Sequence, residues 1–343
     1  MTRRRTTFAL TLMLGLALLP WSAAQIGLPL MEAVAAAALE VTSEADEAPL
    51  RARTAAGTEL TLAVRGDALW RVGGEGSFDD DTIADVARVI GVATGFFAAI
   101  AEPVAGYLRQ NLSVLAGAGP FEVQVEAFRL MLDVRGEAPP FEVAWMIALA
   151  EVPEEAFLPA RHAKGPADAP YVIREFSDLQ CPACASYASR VVPALEATLL
   201  ARGDVRFEYH HFVLGGRFAN SGLAAEASEC VAEANPEEPE AFWRYVDALF
   251  ERQPVWSAMA DPTGFFAGLP QAVGLDDGGV EECLAEGRHR AHVRAATERA
   301  ASLGVAATPT VFVGPFQVRD FGRLEAYQEA MARIDAFRLA EAE

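Results

Sequence analysis

The amino-acid sequence predicts an α/β protein in two unequal parts, a small α+β module followed by an α/β domain with a helical insertion. Three observations lead to this prediction. Apolar residues alternate in short runs before residue 150, a strand–helix–strand order begins near residue 170, and helical spacing dominates residues 218–303. With 343 residues, of which 52% are hydrophobic, the chain is long enough to bury two cores.

The chain is strongly acidic, since 48 acidic residues outnumber 28 basic ones and the net charge is -20 at pH 7. A field of that sign repels phosphate, so we expect no nucleic-acid partner and no binding to anionic membrane surfaces. The sequence also contains no glycine-rich phosphate-binding motif.

The amino terminus predicts export. Three arginines at positions 3–5 precede an uncharged apolar run over residues 8–19, and small residues at 22–24 suit a signal peptidase. We therefore expect a signal peptide at residues 1–24, with an uncleaved membrane anchor as the alternative. The expected location is periplasmic or otherwise extracytoplasmic, where cysteines can persist as disulfides.

The first part of the mature chain contains no catalytic constellation. Residues 25–57 are rich in Ala and Glu and predict a linker or loose helix, whereas residues 58–160 predict a small α+β module for docking or dimerisation. The elements expected in the module are strands at 60–64 and 69–72, a helix from Asp79 toward Pro103, a strand over 121–134 with a bulge at Ala127, and a strand over 141–149. Residues 121–134 also fit a helix.

A Gly-, Pro- and Ala-rich segment at 161–170 marks the expected start of the second domain, residues 161–343. The elements expected after it are a strand at 171–176, a helix from Cys181 to Leu199 kinked at Pro193, a strand at 205–213, the helical insertion at 218–303 with one helix over 280–303, strands at 310–313 and 316–319, and a helix at 324–339.

Three motifs in this domain resemble one known family. They are Gly-Pro-Ala-Asp-Ala-Pro at 165–170, Ile-Arg-Glu-Phe-Ser-Asp-Leu-Gln-Cys-Pro-Ala-Cys at 173–184, and Ala-Thr-Pro-Thr-Val-Phe-Val at 307–313. Together they resemble the DsbA-like branch of the thioredoxin superfamily, over residues 160–340. The resemblance implies a thioredoxin-like fold interrupted by a helical domain, and an exported thiol-disulfide oxidoreductase.

The C-P-A-C dithiol can be argued from its own chemistry. A cysteine at a helix N-terminus meets unpaired backbone N–H groups and the positive end of the helix dipole, which favour the reactive thiolate. Cys181 is that residue, and Cys184, one turn further on, is expected to resolve the mixed disulfide. Pro182 suits a first helical turn, and Ala183 supplies neither charge nor a hydrogen-bond donor. Both are expected to border the substrate.

The resemblance assigns roles to three further residues. Glu175 would be a buried acid that exchanges a proton with Cys184, although a strand carboxylate that simply reaches solvent is the alternative. Thr308-Pro309 would be a cis peptide bond beside the dithiol, leaving the Thr308 backbone free to pair with an extended substrate. An ordinary trans proline at a strand start is the alternative there.

Cys230 and Cys283 both fall in the helical insertion. A structural disulfide is the leading interpretation for an exported chain, while a second redox couple and two free buried cysteines stay open. The histidines at 210, 211, 289 and 292 are possible metal ligands, but a single C-x-x-C in helical context favours redox chemistry, so we expect neither a metal nor a cofactor.

The sequence therefore predicts an exported oxidase that exchanges disulfides with thiol-containing or disulfide-bonded exported proteins, with a quinone-linked membrane oxidase as the implied redox partner. One alternative is an isomerase or reductase, dimerised through residues 58–159 and served by a membrane electron donor. A second alternative, from another class, is a noncatalytic metal chaperone or assembly scaffold on a thioredoxin frame.

Overall fold

The computed structural model describes residues 34, 38–43, 49–65, 68–125 and 128–341. The signal peptide expected at 1–24, its anchor alternative and the bulge expected at Ala127 lie outside these residues. The chain divides into two compact units, one formed by residues up to Ala150 together with those from Ala332 onward, and one formed by Glu151–Met331.

The first unit contains an antiparallel sheet with the strand order β1-β2-β3-β4-β7-β6-β5. Its strands are β1 (Glu40–Val41), β2 (Leu50–Arg53), β3 (Glu59–Arg65), β4 (Ala68–Phe78), β5 (Phe121–Val125), β6 (Phe128–Arg135) and β7 (Phe141–Leu149). Between β4 and β5 lie the helices α1 (Asp80–Thr94) and α2 (Ala98–Leu115). The core follows from alternation, because every second residue of β6 and β7 is buried.

Two local predictions for this unit are wrong for identifiable reasons. The helix that begins after Asp79 ends at Thr94, because Gly95 adopts the left-handed conformation (φ 76°), and Pro103 lies inside α2. Residues 121–134 are neither one bulged strand nor a helix. They form β5 and β6, paired antiparallel with Val125 opposite Phe128, so the slip in apolar phase marks a reversal of the chain.

The segment at 25–57 also differs from expectation in its described part. The sequence predicted a linker or loose helix, whereas β1 and β2 are strands, and β2 pairs with β3. Leu50 and Ala52 are buried and alternate with exposed arginines, which is the pattern of a half-buried strand.

The second unit contains a five-stranded mixed sheet with the order β12-β11-β9-β10-β8. Its strands are β8 (His162–Lys164), β9 (Tyr171–Ser177), β10 (Val205–His211), β11 (Thr310–Val313) and β12 (Phe316–Val318). Its helices are α3 (Pro182–Arg190), α4 (Val192–Thr198), α5 (Ser221–Ala234), α6 (Ala241–Glu251), α7 (Gln253–Trp256), α8 (Thr263–Ala272), α9 (Val280–Glu286), α10 (Arg290–Ser302) and the start of α11 (Leu324–Glu341).

The predicted order of strand, helix, strand, helical insertion, hairpin and helix is confirmed. Two details differ. The segment at 161–170 contains β8, which pairs with β10 and so belongs to the sheet. Residues 280–303 form two helices instead of one, because Gly287 takes the left-handed conformation (φ 64°) and ends α9.

The register of this sheet positions the site. β9 runs parallel to β10, with Glu175 opposite Tyr209, and antiparallel to β11. The loop to α3 leaves the end of β9, and Thr308-Pro309 directly precedes β11, the neighbouring strand. Two segments far apart in sequence therefore meet at one end of the sheet. Among the described residues, no helix combines the length and the apolar character that crossing a bilayer requires.

Candidate active site

Cys181 and Cys184 lie at the beginning of α3. Cys181 is the N-cap residue, Pro182 is the first helical residue, and both thiols are free. Cys181 keeps 7% of its surface exposed, whereas Cys184 is completely buried. Pro182 and Ala183, which lie between the two cysteines, are exposed.

The two sulfurs differ in their affinity for a proton. The hydrogen bond from the Cys184 thiol, with smaller contributions from Thr308 and the backbone N–H groups of Cys184 and Ala183, lowers the pKa of Cys181 to about 5. Burial raises the pKa of Cys184 above its ordinary value, and the neighbouring Cys181 and Glu175 raise it further. The thiolate therefore resides on Cys181 near neutral pH, and Cys184 holds its proton.

Thr308 and Pro309 border the dithiol on the other side. The peptide bond between them is cis, and the Thr308 carbonyl oxygen lies 3.5 Å from Cys181 Sγ, where it accepts from the thiol when Cys181 is protonated. Pro309 is buried and Thr308 is half-buried. The structure thus brings the Thr308 backbone into direct contact with the sulfur that a substrate would attack.

Glu175 lies in the middle of β9 and is buried, with 3% of its surface exposed. Burial raises the pKa of its carboxyl to about 7, against a smaller lowering by the Ser177 hydroxyl. The Glu175 carboxylate therefore does not reach solvent, contrary to the alternative interpretation. A carboxyl group with this pKa can gain or lose a proton near neutral pH, as an acid–base partner of Cys184 must.

Sequence reasoning missed two polar groups beside Glu175. Ser177 lies two residues further along β9 and so faces the same side of the sheet, and Tyr209 is the residue paired with Glu175 on β10. Both are buried, and the Ser177 hydroxyl influences the pKa values of Glu175, Cys184 and Tyr209. No sequence signal could have identified Tyr209, since its place depends on the pairing of two strands separated by a helix.

The second cysteine pair is a disulfide that joins Cys230 of α5 to Cys283 of α9. These two sulfurs and His289 form the one group of His, Cys, Asp and Glu spaced for a metal ion among the residues that the structure describes. Since each sulfur is bonded to the other, neither is available as a thiolate ligand.

The histidines considered as metal ligands have other neighbours. His211 on β10 and His292 on α10 both approach the buried Glu229, at Nε2–Oε1 distances of 3.1 and 3.8 Å. His210 lies near Glu208, and its ring stacks on Phe176. The histidines thus lie against carboxylates and rings of the fold.

A family model described as thioredoxin matches residues 158–333, more than half of the chain. The chain belongs to the thioredoxin family. Among curated relatives, disulfide bond formation protein D of Bacillus subtilis is 27% identical over 170 residues, which cover 49% of this chain and 74% of that protein. The Na(+)/H(+) antiporter NhaA 3 of Salinispora tropica is 28% identical over 179 residues, covering 50% of this chain but only 25% of the antiporter.

Solved structures also resemble part of this chain. The crystal structure of oxidised BdbD from Bacillus subtilis has 25% identity and a TM-score of 0.45, covering 55% of this chain and 97% of that chain. Residues before 158 lie outside the match to the family model. With its dithiol at a helix start and its relatives in disulfide bond formation, the protein is a DsbA-like thiol-disulfide oxidoreductase.

Proposed function

We propose that this oxidoreductase is an exported oxidase that introduces disulfides into client proteins. The stabilised thiolate of Cys181 carries the proposal. Interactions that favour the thiolate favour the product of reduction, so they make the Cys181–Cys184 disulfide a stronger oxidant. Export rests on the arginines at 3–5 and the apolar run that follows them.

The reaction begins with the disulfide form. A client thiolate attacks Cys181 Sγ, the bond between Cys181 and Cys184 breaks, and the Cys184 sulfur leaves with the electron pair and takes up a proton, which Glu175 can donate. A second client thiolate then attacks the client sulfur of the mixed disulfide and releases Cys181 as a thiolate. The client has lost two electrons and the enzyme dithiol has gained them. A low pKa makes Cys181 a good leaving group in this second step.

Client binding would use Thr308, Pro309, Pro182 and Ala183. The exposed pair between the cysteines leaves room for a chain, and the Thr308 backbone beside Cys181 suits pairing with an extended peptide. Turnover requires an oxidant for the reduced dithiol, and we assign this task to a quinone-linked membrane oxidase. The clients are thiol-containing exported proteins.

The reduction potential tests the direction of exchange. The full chain is equilibrated with glutathione buffers, quenched with acid, and its free thiols are labelled and counted. An oxidase should give a potential well above that of thioredoxin, toward about -120 mV. A value near about -270 mV would overturn the oxidase proposal in favour of a reductase or isomerase.

Two further measurements separate the alternatives. A dimer that forms through residues 58–159, together with reactivation of a protein with scrambled disulfides, would favour the isomerase. Retention of client affinity in Cys181→Ser, with no dithiol activity in the parent chain, would favour the metal chaperone or scaffold. The oxidase proposal expects that the parent chain oxidises a dithiol peptide and that Cys181→Ser does not.

A further inference from the structure

The loop that carries the catalytic cysteine, residues 178–181, is hydrogen-bonded to the helical insertion and to the segment leading into it. Asp178 accepts from the Leu214 backbone N–H (2.7 Å) and from the Ser221 hydroxyl (2.6 Å). The Gln180 side chain accepts from the Asn220 N–H (2.8 Å) and donates to the Ser257 carbonyl (3.3 Å). These bonds fix the side chains of the loop.

Gln253 contacts the backbone of the same loop. It is the first residue of α7 and is buried, with 7% of its surface exposed. Its Nε2 donates to the carbonyl oxygens of Leu179 (2.7 Å) and Cys181 (3.1 Å). A carboxamide nitrogen has two hydrogens, so these two bonds use both of its donors.

The carbonyl of Cys181 lies at the beginning of α3. It accepts the first backbone bond of the helix, from the Ala185 N–H at 3.2 Å. Gln253 therefore holds the peptide group through which the catalytic cysteine joins its helix. Because the influence of a helix N-terminus falls off within one turn, a small displacement of Cys181 changes the stabilisation of its thiolate.

We propose that Gln253 is a positioning residue whose carboxamide holds the backbone of Leu179 and Cys181 and thereby keeps the Cys181 sulfur at the start of α3. Through Gln253, the helical insertion then influences the reactivity of the dithiol. Gln253 acts on the backbone of the loop and contacts neither sulfur. The inference depends on the Cys181 thiolate and holds for either direction of exchange.

The test is the pH dependence of Cys181 alkylation in the reduced full chain. Gln253→Ala removes both donors, and Gln253→Glu keeps the shape but replaces the amide with a group that is an acceptor when ionised. Gln271→Ala is the matched control, because Gln271 is an exposed glutamine of α8 that donates to Asp277. Near pH 5 we expect alkylation to slow by about threefold to tenfold in both Gln253 variants, with the midpoint of the profile shifted to higher pH. The control should match the wild type.

Denaturant unfolding is measured in parallel, since a merely structural glutamine would change stability and leave the titration of Cys181 alone. Gln253 variants that unfold at lower denaturant yet show the wild-type alkylation profile would overturn the inference. Gln253→Glu keeps the side-chain volume, so it provides the test if Gln253→Ala does not fold. An ordinary thiol profile in the wild type would overturn the proposed function as well, whereas unchanged variants beside a low wild-type midpoint would overturn this inference alone.

Discussion

The two cysteine pairs of the second unit contain the same atoms in different surroundings. Cys181 and Cys184 stand at the start of one helix as free thiols, and Cys230 and Cys283 join two helices across a sequence separation of 53 residues. Burial alone does not distinguish them, because Cys184, Cys230 and Cys283 are all at most 2% exposed.

Position in the helix makes the difference. Cys181 precedes the first turn of α3, where N–H groups have no intrahelical acceptor and can stabilise a thiolate. Cys230 lies near the end of α5, among residues whose N–H groups are already paired. Only the first pair combines partial access to solvent with a stabilised reduced form. The same residue type thus serves exchange at one place and cross-linking at the other.

The largest effect should come from breaking each pair in turn. Cys181→Ser removes the sulfur that the client thiolate attacks and is expected to lower dithiol oxidation by on the order of a thousandfold or more. The matched variant Cys230→Ser/Cys283→Ser should retain activity within about threefold, because the insertion disulfide takes no part in exchange. Oxidation of a fluorescent dithiol peptide measures both. A comparable loss in the double variant would mean that the second pair relays electrons.

The second pair should matter for stability instead of activity. Closing a loop of this length stabilises a fold by about 4 kcal/mol in the chain-entropy model, so Cys230→Ser/Cys283→Ser should unfold at clearly lower denaturant. Guanidinium unfolding followed by circular dichroism measures the change. Wild type reduced with dithiothreitol should show a similar loss. An unchanged midpoint in the double variant would show that the pair adds no net stability to the insertion.

The comparison also shows how much of the site could be predicted from sequence. Cys181 was predictable because its chemistry is local: a C-x-x-C, a proline in the first turn, and helical spacing after it. Gln253 and Tyr209 were not, because their places near the dithiol depend on tertiary packing across the insertion and on strand pairing. Neither the spacing nor the residue type of these two indicates a site.

The fold shows the same limit. The family motifs and the order of elements predicted the second unit, whereas local patterns in the first were ambiguous. A slip in alternation at residues 125–128 fits a bulge and a chain reversal equally well, since both shift the apolar residues from odd-numbered to even-numbered positions. The pairing of β5 with β6 distinguishes the chain reversal from the bulge, and a sequence does not show which strands pair.

Proton transfer at the first pair should produce an intermediate effect. Glu175→Gln removes the acid beside Cys184, and we expect exchange to slow by about a hundredfold. In the wild type the rate of oxidation per client thiolate should fall as pH rises through about 7, because Glu175 then loses the proton that the departing Cys184 sulfur needs. This fall in rate near pH 7, the alkaline limb of the pH profile, should be absent in Glu175→Gln. Glu251→Gln, at an exposed position of α6, is the control, and a persistent limb near pH 7 in Glu175→Gln would assign it to another group.

The smallest effect concerns the surroundings of the second pair. Glu229, the neighbour of Cys230, is buried and accepts hydrogen bonds from Nε2 of His162 (3.0 Å) and of His211 (3.1 Å), and Arg161 Nη1 lies 3.1 Å from its other oxygen. Burial alone would raise the pKa of Glu229, but the bonds from the histidines lower it well below its ordinary value. Burial lowers the pKa of His162 below 6.5.

Both shifts have the same sign for stability. A carboxyl whose pKa is lowered by folding stabilises the fold above its unfolded pKa of 4.5 and loses that contribution as pH falls. A histidine whose pKa is lowered by folding favours the unfolded state once the unfolded ring is protonated, below 6.5. Acidification from pH 7.5 to 5 should therefore destabilise the second unit through His162, and acidification below 4.5 should destabilise it further through Glu229. Glu229→Gln should lower the free energy of unfolding by about 2 kcal/mol at pH 7.5 and remove the further loss of stability below pH 4.5, as urea midpoints would show. Glu298→Gln, in an exposed pair with Arg294, should leave the curve unchanged, and parallel curves for Glu229→Gln and wild type would mean that this cluster does not set the acid sensitivity.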